Sequence, residues 1–388
     1  MLDFTLARTA VGRIVFASLC DKLFDIDEKL QHRAAARDRA TSGRPTTSRS
    51  RSSCAPGVTF HDGEKLDAAA VKFNIERHKT MAGLATAAAS WRSCRRVDVI
   101  DPATVRLNLS APFSPLLAQL ADRAGMMVSP KAAQAAGDKF GANPVLLGPV
   151  QLRRARRAGP HRARALSQLL EQGRRSTSTS VVYAADPRRD GAPGQPPVRA
   201  SSTSSSGCVA SDVRAAARPT RGSRSPAITE IGYQGITINV GNGDAGQKNP
   251  LGSDPRVREA FELSLDRDGI VQVAMDGEAT VGNQWVRADQ LVLREEHAGA
   301  EARRRARRRR CCRKRACPTR RFTLMTPTNI ATQQKTGAGR AGDGEGGGLR
   351  RQDPVDRVSR RSLDLADKGQ FEAYVLAWSG RADPDGNI

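Results

Sequence analysis

Residues 66–78 read Leu66-Asp-Ala-Ala-Ala-Val-Lys-Phe-Asn-Ile-Glu-Arg-His78. This stretch predicts a helix that begins after Asp67, because an aspartate at the N-cap accepts a hydrogen bond from the first helical turn. Leu66 and Val71 then occupy the N′ and N4 positions of a hydrophobic staple, and Ile75 continues the same apolar face. The stretch therefore predicts an amphipathic helix in a compact α/β region.

A β-hairpin is expected directly after this helix. Apolar residues alternate with polar ones on either side of the turn Asp101-Pro102, and they are Val97, Val99, Val105, Leu107 and Leu109. Residues 83–95, between the helix and the hairpin, match neither pattern. Residues 55–150 as a whole thus favour an α/β structure.

Residues 228–286 repeat the theme of a strand followed by helices. Ile236, Ile238 and Val240 line one face of a predicted strand that ends in a glycine-rich loop, and Gln247–Ser253 is expected to continue as loop. Helices are predicted to begin at Asp254-Pro255, with proline at N1, and at Asp268-Gly269. Near the end, Tyr374–Trp378 is a buried strand that leads into the polar loop 379–387. Strands that alternate with helices indicate an α/β protein.

The charge of the chain is concentrated in a few segments. The 388 residues hold 63 Lys and Arg against 40 Asp and Glu, a net charge of +23. Segments 32–54, 151–225, 287–321 and 335–361 contain 42 of the basic residues and 13 of the acidic ones, whereas the other 228 residues contain 21 and 27. These segments are rich in Arg, Ala, Ser, Gly and Pro, show no sustained apolar period, and are expected to form no buried face.

Three interpretations of the basic segments remain open. They are disordered linkers, nucleic-acid-binding tracts, or GC-rich DNA read out of frame, which enriches these residue types at random. We favour the third, because the segments have abrupt boundaries and patterned sequence resumes in mid-element at Phe322 and Ser362. A specific nucleic-acid partner is disfavoured, because the arginines fall in patternless segments rather than on one face of an element.

The sequence offers no arrangement for catalysis, a metal or a cofactor. Gly241–Gly246 matches the G-x-G-x-x-G pattern, but no helix is expected to follow it, as a dinucleotide site requires. Cys311, Cys312 and Cys317 lack zinc-ligand spacing, and His61-Asp62-Gly63-Glu64 reads as a tight turn. No Ser/His/Asp or Cys/His set can be assembled. We therefore expect a protein that is not an enzyme and has no cofactor and no metal.

Membrane and export signals are not visible in the sequence. No apolar run approaches the 18 residues that a membrane-spanning helix needs. The start, Met1–Arg8, lacks a basic region followed by an unbroken apolar segment, so no signal peptide is expected there. Cys20 is one of two cysteines outside the basic segments, and no disulfide partner can be named for it.

The patterned regions resemble the extracytoplasmic solute-binding proteins of peptide/nickel-type ABC importers, which are the dipeptide- and oligopeptide-binding family 5. Several collinear motifs carry the resemblance: Pro56-Gly-Val-Thr-Phe-His-Asp-Gly-Glu-Lys-Leu-Asp-Ala-Ala-Ala-Val-Lys-Phe73, Ala111-Pro-Phe-Ser-Pro-Leu-Leu117, Met127-Val-Ser-Pro-Lys-Ala132, Asn143-Pro-Val-Leu-Leu-Gly-Pro-Val150, the helix 254–270 and the loop 378–387.

The resemblance implies an α/β fold of two lobes with mixed sheets and an extra subdomain, interrupted by the basic segments. It assigns 1–31 to the start of lobe one, 55–139 to the extra subdomain and 140–250 to lobe one, with 151–225 patternless. Residues 254–388 would be a partial lobe two, with 287–321 and 335–361 patternless. The segment 32–54 replaces the strand that should precede Pro56, so this copy is expected to be frameshifted, truncated and defective.

The resemblance also implies function and site residues. The family captures a short peptide or similar solute in the periplasm and delivers it to ABC permease subunits, without chemistry and as a monomer. By the same likeness, Trp378, Arg381 and Asp383 would contact ligand: Trp378 through its ring, Arg381 through a ligand carboxylate, and Asp383 through a ligand amine or by ordering Arg381. The alternative is an Arg-rich, disordered nucleic-acid-binding protein.

Overall fold

The computed structural model describes residues 3–6, 10–27, 32–34, 49–54, 57–81, 91–154, 161–165, 180–183, 232–263, 265–282, 284, 320–327, 331–339, 349–352, 359–378 and 380. The chain divides into two compact units, one within residues 1–186 and the other within residues 187–380. The finer boundaries expected from the sequence remain predictions.

The first unit joins short helices to antiparallel sheets. Its helices are α1 (Ala10–Leu19), α2 (Ala68–Thr80), α3 (Leu116–Leu120) and α4 (Pro130–Ala136), and its 3-10 turns are Phe4–Leu6, Arg123–Gly125 and Gly137–Ala142. Its strands are β1 (Phe24–Ile26), β2 (His32–Ala34), β3 (Arg49–Ser53), β4 (Cys94–Asp101), β5 (Thr104–Leu109), β6 (Val150–Arg154), β7 (His161–Ala165) and β8 (Ser180–Tyr183). The sheets have the orders β1-β2, β3-β5-β4 and β6-β7-β8.

Helix α2 confirms the prediction made from residues 66–78. The Asp67 side chain accepts a hydrogen bond from the Ala70 backbone N–H at 2.8 Å and caps the helix. Leu66, Val71 and Ile75 are buried in one cluster with the large ring of Trp91. The hairpin is confirmed as well, because β4 and β5 pair around the turn after Asp101.

A buried amide fastens α2 to the segment before α4. The Asn74 side chain donates from Nδ2 to the carbonyls of Val128 and Ala70, both at 2.9 Å. Its Oδ1 accepts the Val128 backbone N–H at 2.8 Å. The amide thus satisfies its hydrogen-bonding groups in an otherwise apolar interior.

Strand β3 corrects the expectation that residues 32–54 form no buried face. Arg49–Ser53 pairs antiparallel with β5 over five residues, so an Arg/Ser sequence occupies the edge of the sheet. The ladder is made by backbone groups, which every non-proline residue carries. Ser50 and Ser52 are buried on the inner face, and the alternation of Arg and Ser has the period of a strand.

Strands also occur in other basic segments. Strands β7 and β8 lie within 151–225, and β11 lies within 335–361. An apolar period does not indicate these strands, because strand pairing is made by backbone N–H and C=O groups and does not need apolar side chains.

The second unit is a mixed sheet with helices. Its helices are α5 (Gly243–Lys248), α6 (Pro250–Ser253), α7 (Pro255–Leu263), α8 (Arg267–Met275), α9 (Ala331–Gly339) and α10 (Ser359–Asp367). Strands β9 (Tyr233–Ile238), β10 (Arg320–Met325), β11 (Leu349–Gln352) and β12 (Ala373–Trp378) form a sheet of order β11-β10-β12-β9, in which only β9 is antiparallel to its neighbour. The core contains Leu251, Phe261, Phe322, Leu324, Ala373 and Val375.

Several predictions for this unit are confirmed and others are wrong. Helix α7 begins at Pro255 and the strand ending at Trp378 is present. Residues 247–253, predicted as loop, instead belong largely to α5 and α6, because Leu251 is drawn fully into the core. Helix α8 begins at Arg267 with Asp266 as its N-cap, not at Asp268. Val240 lies beyond the end of β9 and is exposed.

Replacing the N-cap of α2 tests how strongly this helix start supports the first unit. We expect Asp67→Ala to lower the free energy of unfolding by about 1 kcal/mol, because the Ala70 N–H loses its acceptor. Asp67→Asn keeps an acceptor and should lose much less. Denaturant unfolding combined with hydrogen exchange of the α2 amides measures the difference. Equal losses of stability in both variants would show that the hydrogen-bond acceptor at this position is not what stabilises the start of α2.

Candidate functional site

The carboxyl ends of parallel strands define the edge where a site is expected in the second unit. Strands β10 and β12 run parallel, so their carboxyl ends, Met325 and Trp378, lie on the same side of the sheet. Strand β9 runs antiparallel to β12 and begins at this edge, where Tyr233 is the backbone partner of Trp378. Ligands of open α/β sheets bind at such carboxyl ends.

Trp378 and Tyr233 form a cross-strand pair of aromatic residues at this edge, because they are direct backbone partners on neighbouring strands. Both side chains are half-buried, and side chains directly opposite each other on neighbouring antiparallel strands lie within contact distance. Burial raises the pKa of the Tyr233 hydroxyl, so the phenol keeps its proton at neutral pH and can donate a hydrogen bond. The pair offers an apolar, rigid surface together with a polar group.

A hydrogen bond from β9 to α9 lies next to the aromatic pair. The Gln234 side-chain amide donates to the Thr336 hydroxyl at 2.7 Å, and that hydroxyl donates to the Thr332 carbonyl at 2.8 Å. Thr336 is buried. This contact fixes the start of β9 against α9 and so positions Tyr233.

The opposite end of β9 is held by one buried amide. The Asn239 side chain donates to the carbonyls of Asn242 at 2.8 Å, Phe371 at 2.9 Å and Gly369 at 3.1 Å. Its oxygen accepts the backbone N–H groups of Asn242 at 2.9 Å and Gly241 at 3.3 Å. The Asn239 amide therefore joins the turn after β9 to the turn that leads into β12.

Glycine is required beside this amide. A Cβ on Gly246 would clash with the Asn239 side chain, and a Cβ on Gly369 would clash with the Asn242 carbonyl. Gly246, the last glycine of the pattern Gly241–Gly246, thus serves close packing against Asn239. Helix α5, which starts within it, has six residues and is too short for a phosphate site.

The three residues predicted to contact ligand are not all described. Trp378 is the last residue of β12 and lies at the carboxyl edge. Arg381 and Asp383 lie outside the described residues, so their roles remain predictions. Tyr233 and Gln234 were missed, because the sequence gives no sign of which strand pairs with Tyr374–Trp378.

The turn His61–Glu64 in the first unit has a structural role. Gly63 has φ of +86°, and the Ser129 hydroxyl lies 2.6 Å from both the Asp62 and the Glu64 carboxylates at the start of α4. The His61 ring contacts the Gly148 carbonyl at 3.0 Å, and burial lowers its pKa. The turn therefore anchors the neighbouring segments.

The described part of the chain has neither a metal-binding cluster nor a membrane-spanning helix. Among those residues, no group of three or more His, Cys, Asp or Glu side chains is placed to hold a metal ion. Across the same ranges, no helix has the length and apolar character to cross a membrane. Cys20, Cys54 and Cys94 are buried thiols, and burial raises the pKa of Cys54 to about 11.

Comparison with solved structures shows the fold. A dipeptide-binding protein from Pseudoalteromonas sp. SM9913 in complex with Met-Leu aligns with a TM-score of 0.78 at 13% identity and covers 100% of this chain and 80% of that one. The ABC transporter-associated periplasmic binding protein DppA from Helicobacter pylori, in complex with the peptide STSA, aligns with a TM-score of 0.76 at 15% identity, covering 100% of this chain and 77% of that chain. The predicted α/β fold class of periplasmic binding proteins is confirmed.

Comparison of sequences shows a similarity to one family over part of the chain. Residues 55–157 match the model of bacterial extracellular solute-binding proteins, family 5 Middle. The glutathione-binding protein GsiB of Salmonella paratyphi A is 28% identical over 224 residues, which are 58% of this chain and 42% of that protein. GsiB of Escherichia coli O1:K1 is 36% identical over 96 residues, which are 25% of this chain and 19% of that protein. The aligned region spans less than half of these relatives, and the resemblance to family 5 is confirmed.

Removing the Asn239 amide tests whether it holds β9 and β12 together. We expect Asn239→Ala to lower the free energy of unfolding by roughly 1–3 kcal/mol, because buried carbonyls and N–H groups lose their partner. Gln247→Ala, at an exposed residue nearby, is the matched control and should have little effect. Hydrogen exchange of the β9 and β12 amides reports the change. Unaltered protection in Asn239→Ala would refute this role.

Proposed function

We propose that the chain is a solute-binding protein that captures a short peptide or peptide-like solute for import by an ABC permease, without chemistry. The observation that carries this proposal is the backbone pairing of Trp378 with Tyr233 at the carboxyl edge of the second sheet, next to the hydrogen bond from Gln234 to Thr336. Family 5 membership of residues 55–157 supports the same function.

The chemistry of the proposed ligand follows from three residues. The Trp378 ring would contact an apolar part of the ligand at small entropic cost. Arg381 would bind a carboxylate through two parallel hydrogen bonds, and Asp383 would accept a ligand amine or order Arg381. A small zwitterion with an apolar or thiol side chain meets these requirements. Relatives named for glutathione and structures named for dipeptides support this class.

The periplasm is the proposed location, as a monomer, by the same likeness. The comparisons contain nothing that favours the alternative of an Arg-rich nucleic-acid-binding protein. Salt-dependent affinity for DNA would be expected of any chain with 63 basic residues, so such binding would not by itself indicate function.

We further propose that the basic segments derive from out-of-frame reading. The encoding DNA of 32–54, 151–225, 287–321 and 335–361 should then show, in another frame, patterned α/β sequence continuous with the flanking regions. Sequencing the locus and reading all three frames measures this. If the other frames are as patternless as the present one, the segments are linkers or basic tracts and the proposal fails.

Ligand binding is best tested by calorimetric titration with glutathione and a panel of di- and tripeptides. The chain and a version with the reading frame restored are both titrated. We expect Arg381→Ala to weaken binding by roughly 1.5–3 kcal/mol, because a charged hydrogen bond to the ligand carboxylate is lost. Arg256→Ala is the matched control, since Arg256 is an exposed arginine of α7 that pairs with Asp254.

Two outcomes separate the parts of the proposal. Unchanged affinity in a folded Arg381→Ala variant would remove Arg381 from the site and leave solute binding intact. Absence of binding to every member of the panel in both versions would refute the proposed ligand class.

A further inference from the structure

The 3-10 turn Phe4–Leu6 is docked on α2 through a buried ion pair. The Arg77 guanidinium lies 2.5 Å from the Asp3 carboxylate, and Asp3 also accepts the Thr5 backbone N–H at 3.0 Å. Asp3 is 2% exposed. The turn is therefore held by a carboxylate that is cut off from water and satisfied by the protein alone.

Thr5 connects this ion pair to His78. The Arg77 guanidinium donates to the Thr5 hydroxyl at 2.8 Å, and that hydroxyl lies 3.2 Å from Nδ1 of His78. The other ring nitrogen, Nε2, lies 3.5 Å from the Met126 carbonyl. Arginine can only donate, and a carbonyl can only accept.

The neutral ring of His78 satisfies all of these contacts. The neutral ring with its proton on Nε2 donates to Met126 and accepts the Thr5 hydroxyl proton at Nδ1. A second proton on Nδ1 would turn this nitrogen into a donor. The Thr5 hydroxyl proton would then lose its acceptor on the ring and would have to turn to another group.

The surroundings of His78 also oppose a positive charge. The side chain is 0% exposed and packs on the Phe4 ring, with centroids 5.6 Å apart. The pKa of His78 is lowered from 6.5 to about 4: burial is the main cause, and the Arg77 cation acts in the same direction, while the hydrogen bond to the Met126 carbonyl and the Asp3 carboxylate act against them.

The charged groups on the other elements around this core do not change that balance. Arg123 lies on the turn before Met126 and is a further cation. At the end of α1, burial raises the pKa of the Cys20 thiol well above its usual value, so Cys20 adds no negative charge. Asp3 is thus the anion on the docked turn itself, and its carboxylate is already bound by Arg77.

We propose that His78 is an acid-sensitive latch, which holds the Phe4–Leu6 turn on α2 while its ring is neutral and releases the turn when the ring takes up a second proton.

The direction and size of the effect follow from linkage. An undocked His78 binds a proton near pH 6.5, whereas the docked one does so near pH 4, so the docked state is favoured above pH 6.5 and loses that advantage as the pH falls toward 4. The opening equilibrium should therefore rise about tenfold per pH unit in this window, and on the order of 100-fold between pH 7 and pH 4.

Hydrogen exchange of the full chain between pH 7 and pH 4 tests the latch, after correction for the intrinsic pH dependence of exchange. Peptides that cover residues 3–19 should lose protection by on the order of 100-fold. The β4–β5 hairpin is the internal reference and should change little. In His78→Gln, which cannot take up the proton, the pH dependence of the 3–19 peptides should be absent. The same pH dependence in His78→Gln, or an equal loss in the hairpin, would overturn the proposal.

A second measurement needs no variant and covers the case in which His78→Gln does not fold. Exchange of the imidazole C2 hydrogen, followed by mass spectrometry on the peptide that contains His78, gives the pKa of this ring in the unmodified chain. The latch requires a midpoint well below 6.5 while the 3–19 peptides are protected. A midpoint near 6.5 with the turn still protected would overturn it.

Discussion

Backbone hydrogen bonding along both edges of β5 is the interaction on which the first unit depends. On one edge β5 pairs with β4, and on the other it pairs with β3. With both edges of β5 paired, Val105 and Leu107 are buried in the core that α2 covers. Strand β5 can therefore pair even with the Arg/Ser sequence of β3, because strand pairing needs only backbone donors and acceptors. Two buried serines on β3 complete a face that apolar residues dominate.

The elements that could be predicted are those whose signals are local. Helix α2 has its cap and staple within six residues, and the β4–β5 hairpin has its turn between two alternating runs. Helices α5 and α6 could not be predicted, because a stretch rich in glycine argues against helix locally. Here the packing of Leu251 in the core and of Gly246 against Asn239 overrides that propensity, and both contacts are tertiary.

In the candidate site, too, some residues could be predicted from local sequence and others could not. Trp378 could be placed at a strand end from the sequence alone, because a short apolar run that stops at a polar loop is typical of a buried strand and its end. Tyr233 could not be placed beside it, since the two residues are 145 positions apart and meet only through the antiparallel register of β9 and β12. The Asn239 amide shares this property. It contacts the carbonyls of Gly369 and Phe371 on a turn that is distant in sequence, and an asparagine after a strand has no sequence signal that separates it from an ordinary turn residue.

The Asn74 amide has a consequence for how the first unit can change. Apolar contacts allow a helix to rotate or slide by small steps with little loss, because one aliphatic surface replaces another. Asn74 instead meets both the N–H and the carbonyl of Val128, in the manner of a neighbouring strand, while also bonding to its own helix. A shift of α2 by one residue would leave three buried polar groups without partners. The amide therefore sets the rotation and the axial position of α2. The apolar residues around it are free to vary as long as the hydrogen bonds of Asn74 are kept.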